Sequence, residues 1–491
     1  MKWLRLVFLL GMLEMYGCNF AAASDDVAPK PEGSTQLYHL HLTCNADSFR
    51  LIQERFSEDI YISSTVECDG RRWEGVRLRL RGDSSREFPK KSMKLKFSKK
   101  NPFLDGRKTL NLNGEFLDPT YMRQALVTRL FAANGLPCFL VNHAVVHVNG
   151  VMMGIYAVVE NIDAQFMERV GLAPESRLYK ATRDGACLSE FEDFRVLWEN
   201  KSAANDSDWA PLATLIAQLN QTSDADYHRL VRTVFVYDEL VTAIALNMLV
   251  GNRSTYYHNY FICREPQSLR WRYLPWDLDN TFVLKSVKDL YQRGNLSDWG
   301  DAFMASNPMF ERALVTPGML GDIQRRVSEL IDRHFQSQYL DPVIDGIAAQ
   351  LIPYVPADTL FSRRSLSDWK AEVESLKEYI RQRPGILLDQ FAHSPTSFQL
   401  LRPAKAFRDR VELRWRAARD PDGDALRYNL VYSADPSFPG DATTRHDGLE
   451  DTLFTLPTLP PAGRYFWKVS ASDGSYYVRG FDNVTTFEVQ A

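Results

Sequence analysis

The sequence predicts an α+β fold of two lobes, followed by a small all-β sandwich. Residues that alternate between apolar and polar fill 37–97, helical segments dominate 209–248 and 309–391, and short alternating strands return after 394. A chain of 491 residues is long enough for about three domains. Its 45% hydrophobic and 24% charged residues are typical of a folded globular protein and exclude a disordered or collagen-like chain.

The first 23 residues have the pattern of a secretory signal peptide. Lys2 and Arg5 precede an apolar stretch over 6–15, and small residues lie at 21–23. This stretch is shorter than the ~20 residues that a spanning helix needs. The alternative is a loose lipoprotein box that ends at Cys18. We predict a signal peptide over 1–23, a linker over 24–36, and an extracytoplasmic protein that contacts a membrane only if Cys18 is lipidated.

The N-terminal lobe is predicted over about 37–165. Alternating residues at 37–42 and 76–81 predict strands, and a polar turn at 82–85 leads to a returning strand over 90–97. Asp118-Pro119 predicts the start of a helix that ends near Asn134. Asn149-Gly150 suits a tight hairpin between strands over 143–148 and 154–159.

The second lobe, over about 166–393, is predicted to be mainly helical. Helices over 209–248 end at Gly251-Asn252, strands follow over 259–263 and 271–274, and helices resume over 309–391. Together the two lobes form one predicted domain over 37–393. A cleft between them would be a place for a nucleotide.

Residues 394–491 are predicted to form a separate β-sandwich of short strands joined by Asp/Pro/Gly turns. The segment resembles a fibronectin type III domain in two respects. Its aromatic residues lie where that family has its core, and the turn over 420–424 has the sequence Asp-Pro-Asp-Gly-Asp. The core aromatics are Trp415, Tyr428, Tyr432 and Trp467. The resemblance implies binding or spacing rather than catalysis.

Charge and cysteine content exclude two further classes of function. The 58 Lys and Arg residues against 62 Asp and Glu give a net charge of -4, so no global basic field attracts nucleic acid. Apart from Cys18, the cysteines are scattered without a CxxC or Cys/His spacing, which argues against a zinc site. Buried free thiols are favoured over a disulfide between Cys44 and Cys68.

The turn at 82–85 is a candidate phosphate-binding segment. Backbone N–H groups of Gly82, Asp83, Ser84 and Ser85 can surround a phosphate, and Arg81 and the lysines of the next strand would add positive charge. The alternative is an ordinary hairpin turn beside a solvated strand face.

Residues 251–282 contain a candidate cation site. If 276–280 is extended, Asp277 and Asp279 point to one face of the chain, because side chains alternate along a strand. Two carboxylates with the amide oxygen of Asn259 would suit a hard divalent cation. The alternative is that one Asp caps a turn and the other pairs with an arginine.

Several blocks of the sequence, in one order, resemble the spore coat protein H (CotH) kinase family. The resemblance covers about 37–391. The blocks are Arg79 to Ser85, Pro89 to Phe97, Leu110 to Asn113, Asp118 to Arg123, Asn149-Gly150, Leu178 to Lys180, His258 to Tyr260 and Pro275 to Asp279. It implies an atypical, bilobal protein-kinase-like fold and transfer of the ATP γ-phosphoryl group to Ser or Thr of a secreted or coat protein, with Mg²⁺ or Mn²⁺.

The resemblance also implies roles for individual residues. Arg81, Gly82, Ser84 and Ser85 would cover the phosphates, either Lys91 or Lys94 would neutralise phosphate charge, and Glu160 would lie at the hinge beside the adenine. Asn259 and either Asp277 or Asp279 would be metal ligands.

Position 254 departs from the family pattern. Ser254 lies where the catalytic-loop Asp is expected, and a neutral hydroxyl cannot accept the substrate proton as a carboxylate does. His258 is the candidate substitute, and both positions are predicted to be catalytic. Gln124 likewise cannot form the lysine–carboxylate ion pair of ordinary kinases.

These departures leave two hypotheses: a weakened kinase, or a pseudokinase that binds a surface or coat partner without turnover. A glycosidase with Asp277 and Asp279 as its acid pair is disfavoured, because residues two apart on one strand lie on the same side of a sugar.

Overall fold

The computed structural model describes residues 36–183, 186–190, 193–202, 208–287, 307–358, 365–401, 404–406, 410–480 and 485–490. The predicted signal peptide and Cys18 lie outside these residues. The predicted division of the chain at 393 stays a prediction. Across the described part of the chain, every helix is too short or too polar to cross a bilayer.

The first part of the described chain is a closed β-barrel. Its strands are β1 (Leu37–Cys44), β2 (Ile62–Cys68), β3 (Arg71–Leu80), β4 (Met93–Lys96), β5 (Thr109–Asn113), β6 (Val141–Val148) and β7 (Val151–Val159). They follow one another around the barrel in the order β1-β2-β3-β4-β5-β7-β6. The parallel pairing of β1 with β6 closes it, and Leu37 lies opposite His143 at one end of that pairing.

Alternation along the strands explains the barrel interior. Leu40, Leu78, Leu95, Leu110 and Val146 are fully buried in one hydrophobic cluster, and the residues next to Leu40, Leu78 and Leu95 along the strands are more exposed. The sequence analysis missed the closure, because one parallel pairing between distant strands leaves no mark on local periodicity.

Two helices accompany the barrel. Helix α1 (Ala46–Glu54) was not predicted; Asn45 caps it by accepting a hydrogen bond from the Ser48 N–H at 2.9 Å. Helix α2 (Arg123–Ala133) begins five residues later than predicted. Tyr121, with φ of +63°, interrupts helical geometry before it.

A second sheet and a group of helices follow. The sheet has the order β11-β10-β8-β9. Its strands are β8 (Arg177–Ala181), β9 (Trp198–Asn200), β10 (Tyr260–Arg264) and β11 (Trp271–Pro275). The helices are α3 (Ala164–Arg169), α4 (Ala210–Gln221), α5 (Asp224–Val234), α6 (Tyr237–Leu249), α7 (Pro308–Val315), α8 (Pro317–Arg333), α9 (Ser337–Leu351) and α10 (Leu366–His393). The predicted helical content of this part is therefore present.

Helix α6 is the centre of the larger hydrophobic core, because its apolar residues are distributed all around it and nearly all are buried. A buried ion pair joins the barrel to the helical part. Lys90 Nζ lies 2.6 Å from Asp358 Oδ2, and the same oxygen accepts hydrogen bonds from the Tyr121 hydroxyl and the Ile155 N–H, each at 2.9 Å. A Cβ at Gly154 would clash with this carboxylate.

The C-terminal segment contains two antiparallel sheets around one core. The strands are β12 (Lys405–Ala406), β13 (Val411–Arg414), β14 (Arg427–Ser433), β15 (Thr444–Leu449), β16 (Leu453–Thr455), β17 (Gly463–Ser472), β18 (Tyr477–Arg479) and β19 (Thr485–Val489). Trp415, Tyr428, Tyr432 and Trp467 all belong to the shared core. The assignment to the fibronectin type III family stays a prediction.

The cysteines at 44, 68, 138, 187 and 263 are free thiols. All but Cys44 are buried, and burial raises the pKa of the Cys68 thiol to about 12. The expectation of buried thiols is confirmed at the four buried positions.

Candidate functional site

A large pocket lies between the open end of the barrel and the second sheet. Its volume is about 1220 Å³, more than most small-molecule sites need. The barrel contributes residues from 79–94 and 113–117, and the second sheet contributes Lys180 and Glu199. The loops over 254–259 and 276–280 complete the lining.

Three cations form one wall of the pocket. Arg81 follows β3, Lys94 lies on β4 and Lys180 lies on β8, so the wall combines both sheets. Arg81 Nη1 donates to Asn113 Oδ1, and Arg81 and Lys180 both lie over the Trp276 ring. Among the described residues, none of the three cations forms a salt bridge with a carboxylate. This wall is therefore suited to an anionic ligand.

The pKa values of these cations reflect their crowding. Burial, followed by the charges of Arg81 and Arg79, lowers the pKa of Lys94 to about 8. Burial also lowers the pKa of Arg81 to about 10 and that of Lys180 below its usual value. The positive forms are thus destabilised until an anion enters.

The turn at 82–85 borders this wall. Gly82 has a φ of +104°, and a Cβ there would clash with the Ser85 hydroxyl, so glycine is required on two grounds. Arg86 Nε donates to the Gly82 carbonyl at 2.7 Å and holds the turn. Gly82 and Ser85 line the pocket, and Ser84 lies in the short helical turn Ser84–Arg86.

Two of the residues predicted to bind nucleotide are not among those that line the pocket. Lys91 Nζ donates to the Arg86 carbonyl and lies over the Phe56 ring, 4.6 Å from its centre. Glu160 accepts a hydrogen bond from the Leu140 N–H at 2.9 Å and forms an ion pair with Arg169. Side-chain alternation explains why Lys91 does not line the pocket. Lys90, Ser92 and Lys94 line it, so the side chain of Lys91 lies on the other face of this segment.

Oxygen ligands also line this pocket. Asn259 Nδ2 donates to Asp277 Oδ2 at 3.0 Å, and Asp279 lines the same pocket. Asn259 and Asp277 have φ values of +60° and +57°, a conformation that non-glycine residues rarely adopt outside functional or tightly restrained sites. The expected strand alternation over 276–280 is wrong, since Asp277 is left-handed, but both carboxylates still reach the pocket.

Asp279 lies in an acidic environment. Burial, then the charges of Asp277 and Asp118, raise the pKa of Asp279 to about 8. Asp118 is fully buried and accepts hydrogen bonds from the Thr120 and Arg123 N–H groups, each at 2.8 Å. Arg123 Nη1 in turn donates to the Asp279 carbonyl at 3.3 Å, so Asp118 positions the loop that carries Asp279.

The loop before Asn259 places Ser254 and His258 at the pocket. Asn252 Oδ1 accepts hydrogen bonds from the Ser254 N–H at 3.1 Å and from its hydroxyl at 3.5 Å. Ser254 lines the pocket but is only 6% exposed. His258 is half-buried against Tyr257.

The donor set fits a hard divalent cation, because amide and carboxylate oxygens are what such ions prefer. In the described residues, three ligand atoms from His, Cys, Asp or Glu come within 4.8 Å of one another only at Asp420, Asp422 and Asp424 of the C-terminal turn. The pocket acids are spaced more widely. They would share the coordination of an ion with oxygens of a ligand.

Sequence reasoning missed two pocket residues. Lys180 lay within a recognised block but had no assigned role, and its position on a strand that pairs with β10 could not be read from periodicity. Glu115 lines the pocket and is 4% exposed. The sequence signal for Glu115 is an acidic residue two positions after a buried strand, and that pattern alone is too common to indicate a site.

Comparison with known proteins agrees with the blocks in the sequence. Inner spore coat protein H of Bacillus subtilis (strain 168) is 22% identical over 371 residues, which cover 74% of this chain and 99% of that protein.

Two solved structures were also compared. The proinflammatory kinase CtkA of Helicobacter pylori aligns over 64% of this chain and 91% of its own, with 9% identity and a TM-score of 0.28. A human fibronectin type-III domain aligns over 20% of this chain and 86% of its own, with 21% identity and a TM-score of 0.17. These scores are too low to assign a fold.

The family model described as CotH kinase protein matches residues 78–387. The match begins on β3 and ends within α10, and so includes every pocket residue named above. It covers well over half of the 491 residues, and the chain therefore belongs to the CotH kinase protein family.

Proposed function

We propose that this protein is an atypical, bilobal kinase that transfers the γ-phosphoryl group of ATP to a Ser or Thr hydroxyl of a partner protein. The observation that carries the proposal is one pocket that is lined both by Arg81, Lys94 and Lys180 and by carboxylate and amide oxygens. A nucleoside triphosphate complexed with a divalent cation carries the complementary charges.

Arg81, Lys94 and Lys180 bind the phosphates in this proposal. A cation about 4 Å from a phosphate charge contributes about 4 kcal/mol at the effective dielectric constant of a partly buried site. Gly82 and Ser85 bring the backbone turn beside the same groups. Lys94, rather than Lys91, is the lysine that faces the nucleotide.

Asn259, Asp277 and Asp279 are the residues that would hold Mg²⁺ or Mn²⁺. When bound, the ion supplies positive charge that neutralises the phosphates during transfer. The crowding of negative charge at Asp279 supports this assignment, because a cation would relieve the repulsion from Asp277. The rest of the chemistry is positioning and electrostatics.

In the transfer step, the acceptor hydroxyl oxygen forms a bond to the γ-phosphorus. The bond between that phosphorus and the β–γ bridging oxygen breaks, and ADP leaves with the bond's electron pair. The hydroxyl proton passes to His258, which lines the pocket. Because Ser254 cannot take this proton, we expect the rate to lie about 10²- to 10⁴-fold below that of a chain with a carboxylate base.

The alternative is a pseudokinase. The buried hydroxyl of Ser254, directed at Asn252, supports it, since nothing at that position can activate an acceptor. The protein would then bind nucleotide without turnover and act as an assembly protein.

The relative from Bacillus subtilis suggests an acceptor protein and a location for this chain. The Bacillus subtilis relative is named as an inner spore coat protein. We propose a coat or surface protein as the acceptor, which this chain would reach after export directed by the predicted signal peptide. The C-terminal β-sandwich would help to bind that partner.

Labelled-ATP transfer by the purified mature protein, with Mg²⁺ or Mn²⁺, tests the proposal. The variants are Asp277→Ala, Asp279→Ala and Ser254→Asp. Transfer that is lost in both Ala variants supports the kinase. ATP binding without transfer, with activity gained in Ser254→Asp, supports the pseudokinase. A wild-type chain that neither binds nor turns over ATP excludes both.

A further inference from the structure

Glu115 is a buried acid that neither the family blocks nor the proposed mechanism uses. It lies two residues after β5, lines the pocket and is 4% exposed. Its backbone has a φ of +49°, so it shares the left-handed conformation of Asn259 and Asp277. A non-glycine residue in that region is strained, and its surroundings must offset the strain.

The hydrogen bonds of Glu115 are incomplete. Its Oε1 accepts a hydrogen bond from Gln124 Nε2 at 2.5 Å. Its Oε2 is buried and has no hydrogen-bond partner among the described residues. A buried carboxylate oxygen without a partner is costly, so one oxygen is held in place while the other remains available to a ligand.

The charged groups around Glu115 indicate the sign of that ligand. The acids that act on it most strongly are Asp279, Asp118 and Asp277, in that order. Asp118 is already bound to N–H groups at the start of α2, and one oxygen of Asp277 is bound to Asn259. Glu115 Oε2 is therefore a carboxylate oxygen left over on the acidic side of the pocket.

Three carboxylates act on Glu115 electrostatically, alongside the cations Arg81 and Lys90, so an anionic ligand at this oxygen would add repulsion from the acids. A neutral donor would satisfy one hydrogen bond but leave the repulsion between Glu115 and Asp279. A divalent cation satisfies the oxygen and cancels the repulsion together.

We propose that Glu115 is a carboxylate ligand of the divalent cation, supplied by the barrel. The proposal rests on the proposed function, because it concerns the same pocket. It means that the ion connects the barrel to the loop over 276–280, with Gln124 as the residue that positions Glu115.

Binding of Mn²⁺ to the full chain without nucleotide, measured from the free-ion signal in electron paramagnetic resonance, tests the proposal without relying on activity. Glu115→Gln should weaken Mn²⁺ binding at least about tenfold, since even indirect partners of metal ligands cost that much. Glu199→Gln is the matched control: Glu199 lines the same pocket, but its carboxylate is paired with Lys201. Glu199→Gln should change the Mn²⁺ affinity by no more than about twofold, far less than the loss expected when a metal ligand is replaced.

Each outcome separates this inference from the proposed function. If Asp277→Asn abolishes Mn²⁺ binding and Glu115→Gln does not weaken it, the role of Glu115 is refuted and the kinase proposal stands. If the wild-type chain binds no Mn²⁺ without nucleotide, the role of Glu115 is refuted, while the labelled-ATP transfer assay decides the kinase proposal separately. Should Glu115→Gln unfold, Glu115→Asp keeps the charge on a shorter side chain; an affinity between those of wild type and Asp277→Asn supports the proposal, and an unchanged affinity refutes it.

Discussion

Replacing Lys94 by arginine should weaken the pH dependence of nucleotide binding above neutral pH and leave the part that comes from Asp279, whose pKa is also about 8. The pKa of Lys94 in the free protein is about 8, lowered by burial and by Arg81 and Arg79. A bound triphosphate favours the charged form, so binding raises this pKa. The affinity that Lys94 contributes is fully present below pH 8 and is lost as the pH rises toward the pKa of the complex.

The size of the effect follows from the free-state value. At pH 7 about nine-tenths of Lys94 is charged, and at pH 9 about one-tenth, so affinity should fall about tenfold between the two, equivalent to about 1.4 kcal/mol. Arginine stays charged throughout this range. In Lys94→Arg the plot of log affinity against pH should therefore be less steep, by up to about one proton at high pH.

Calorimetric titration with a non-hydrolysable ATP analogue, in EDTA to exclude metal effects on Asp279, measures both curves. Lys91→Arg is the control, because Lys91 does not line the pocket, and it should keep the wild-type slope. An equal slope in wild type and Lys94→Arg would refute the role given to Lys94. Loss of the slope in Lys91→Arg would show that the wrong lysine was chosen.

Three further changes have defined outcomes. Ser254→Asp should raise the rate of phosphoryl transfer by about 10²- to 10⁴-fold at unchanged ATP affinity, and an unchanged rate with ATP bound would refute its role. Gly82→Ala should destabilise the chain by about 1 to 3 kcal/mol in denaturant unfolding, because the new methyl meets a serine hydroxyl. Gly70→Ala shares the positive φ but has nothing within 4 Å, so an equal or larger loss there would contradict the steric argument. Asp358→Ala should cost about 3 to 5 kcal/mol, because it removes the carboxylate that balances the buried Lys90 ammonium. Adding Lys90→Met should recover much of that loss, and no recovery would mean that the charge is not its cause.

The sequence was most informative where chemistry is local. The hairpin at Asn149-Gly150 is present between β6 and β7, as the dipeptide predicted. Asn259, Asp277 and Asp279 do reach one pocket. The reason offered for the two acids was nevertheless wrong, because alternation along a strand cannot anticipate the left-handed backbone at Asp277.

Features that depend on distant pairing could not be predicted. The parallel contact of β1 with β6 closes the barrel, and the pairing of β8 with β10 brings Lys180 to the pocket. The same limit applies to Lys91 and Lys94. Alternation puts the two lysines on opposite faces, but only the folded structure shows which face borders the pocket. Glu115 was missed because its burial comes from the loop conformation rather than from its neighbours in sequence.

The central claim is that a single pocket binds the triphosphate both through cations and through metal-ligating oxygens. The most direct measurement is ATP affinity in Mg²⁺ for three chains: wild type, Lys94→Met and Asp277→Asn. The account predicts that wild type binds ATP and that each substitution weakens binding severalfold or more, with the Asp277→Asn loss disappearing when Mg²⁺ is removed. Binding that survives both substitutions unchanged would contradict it.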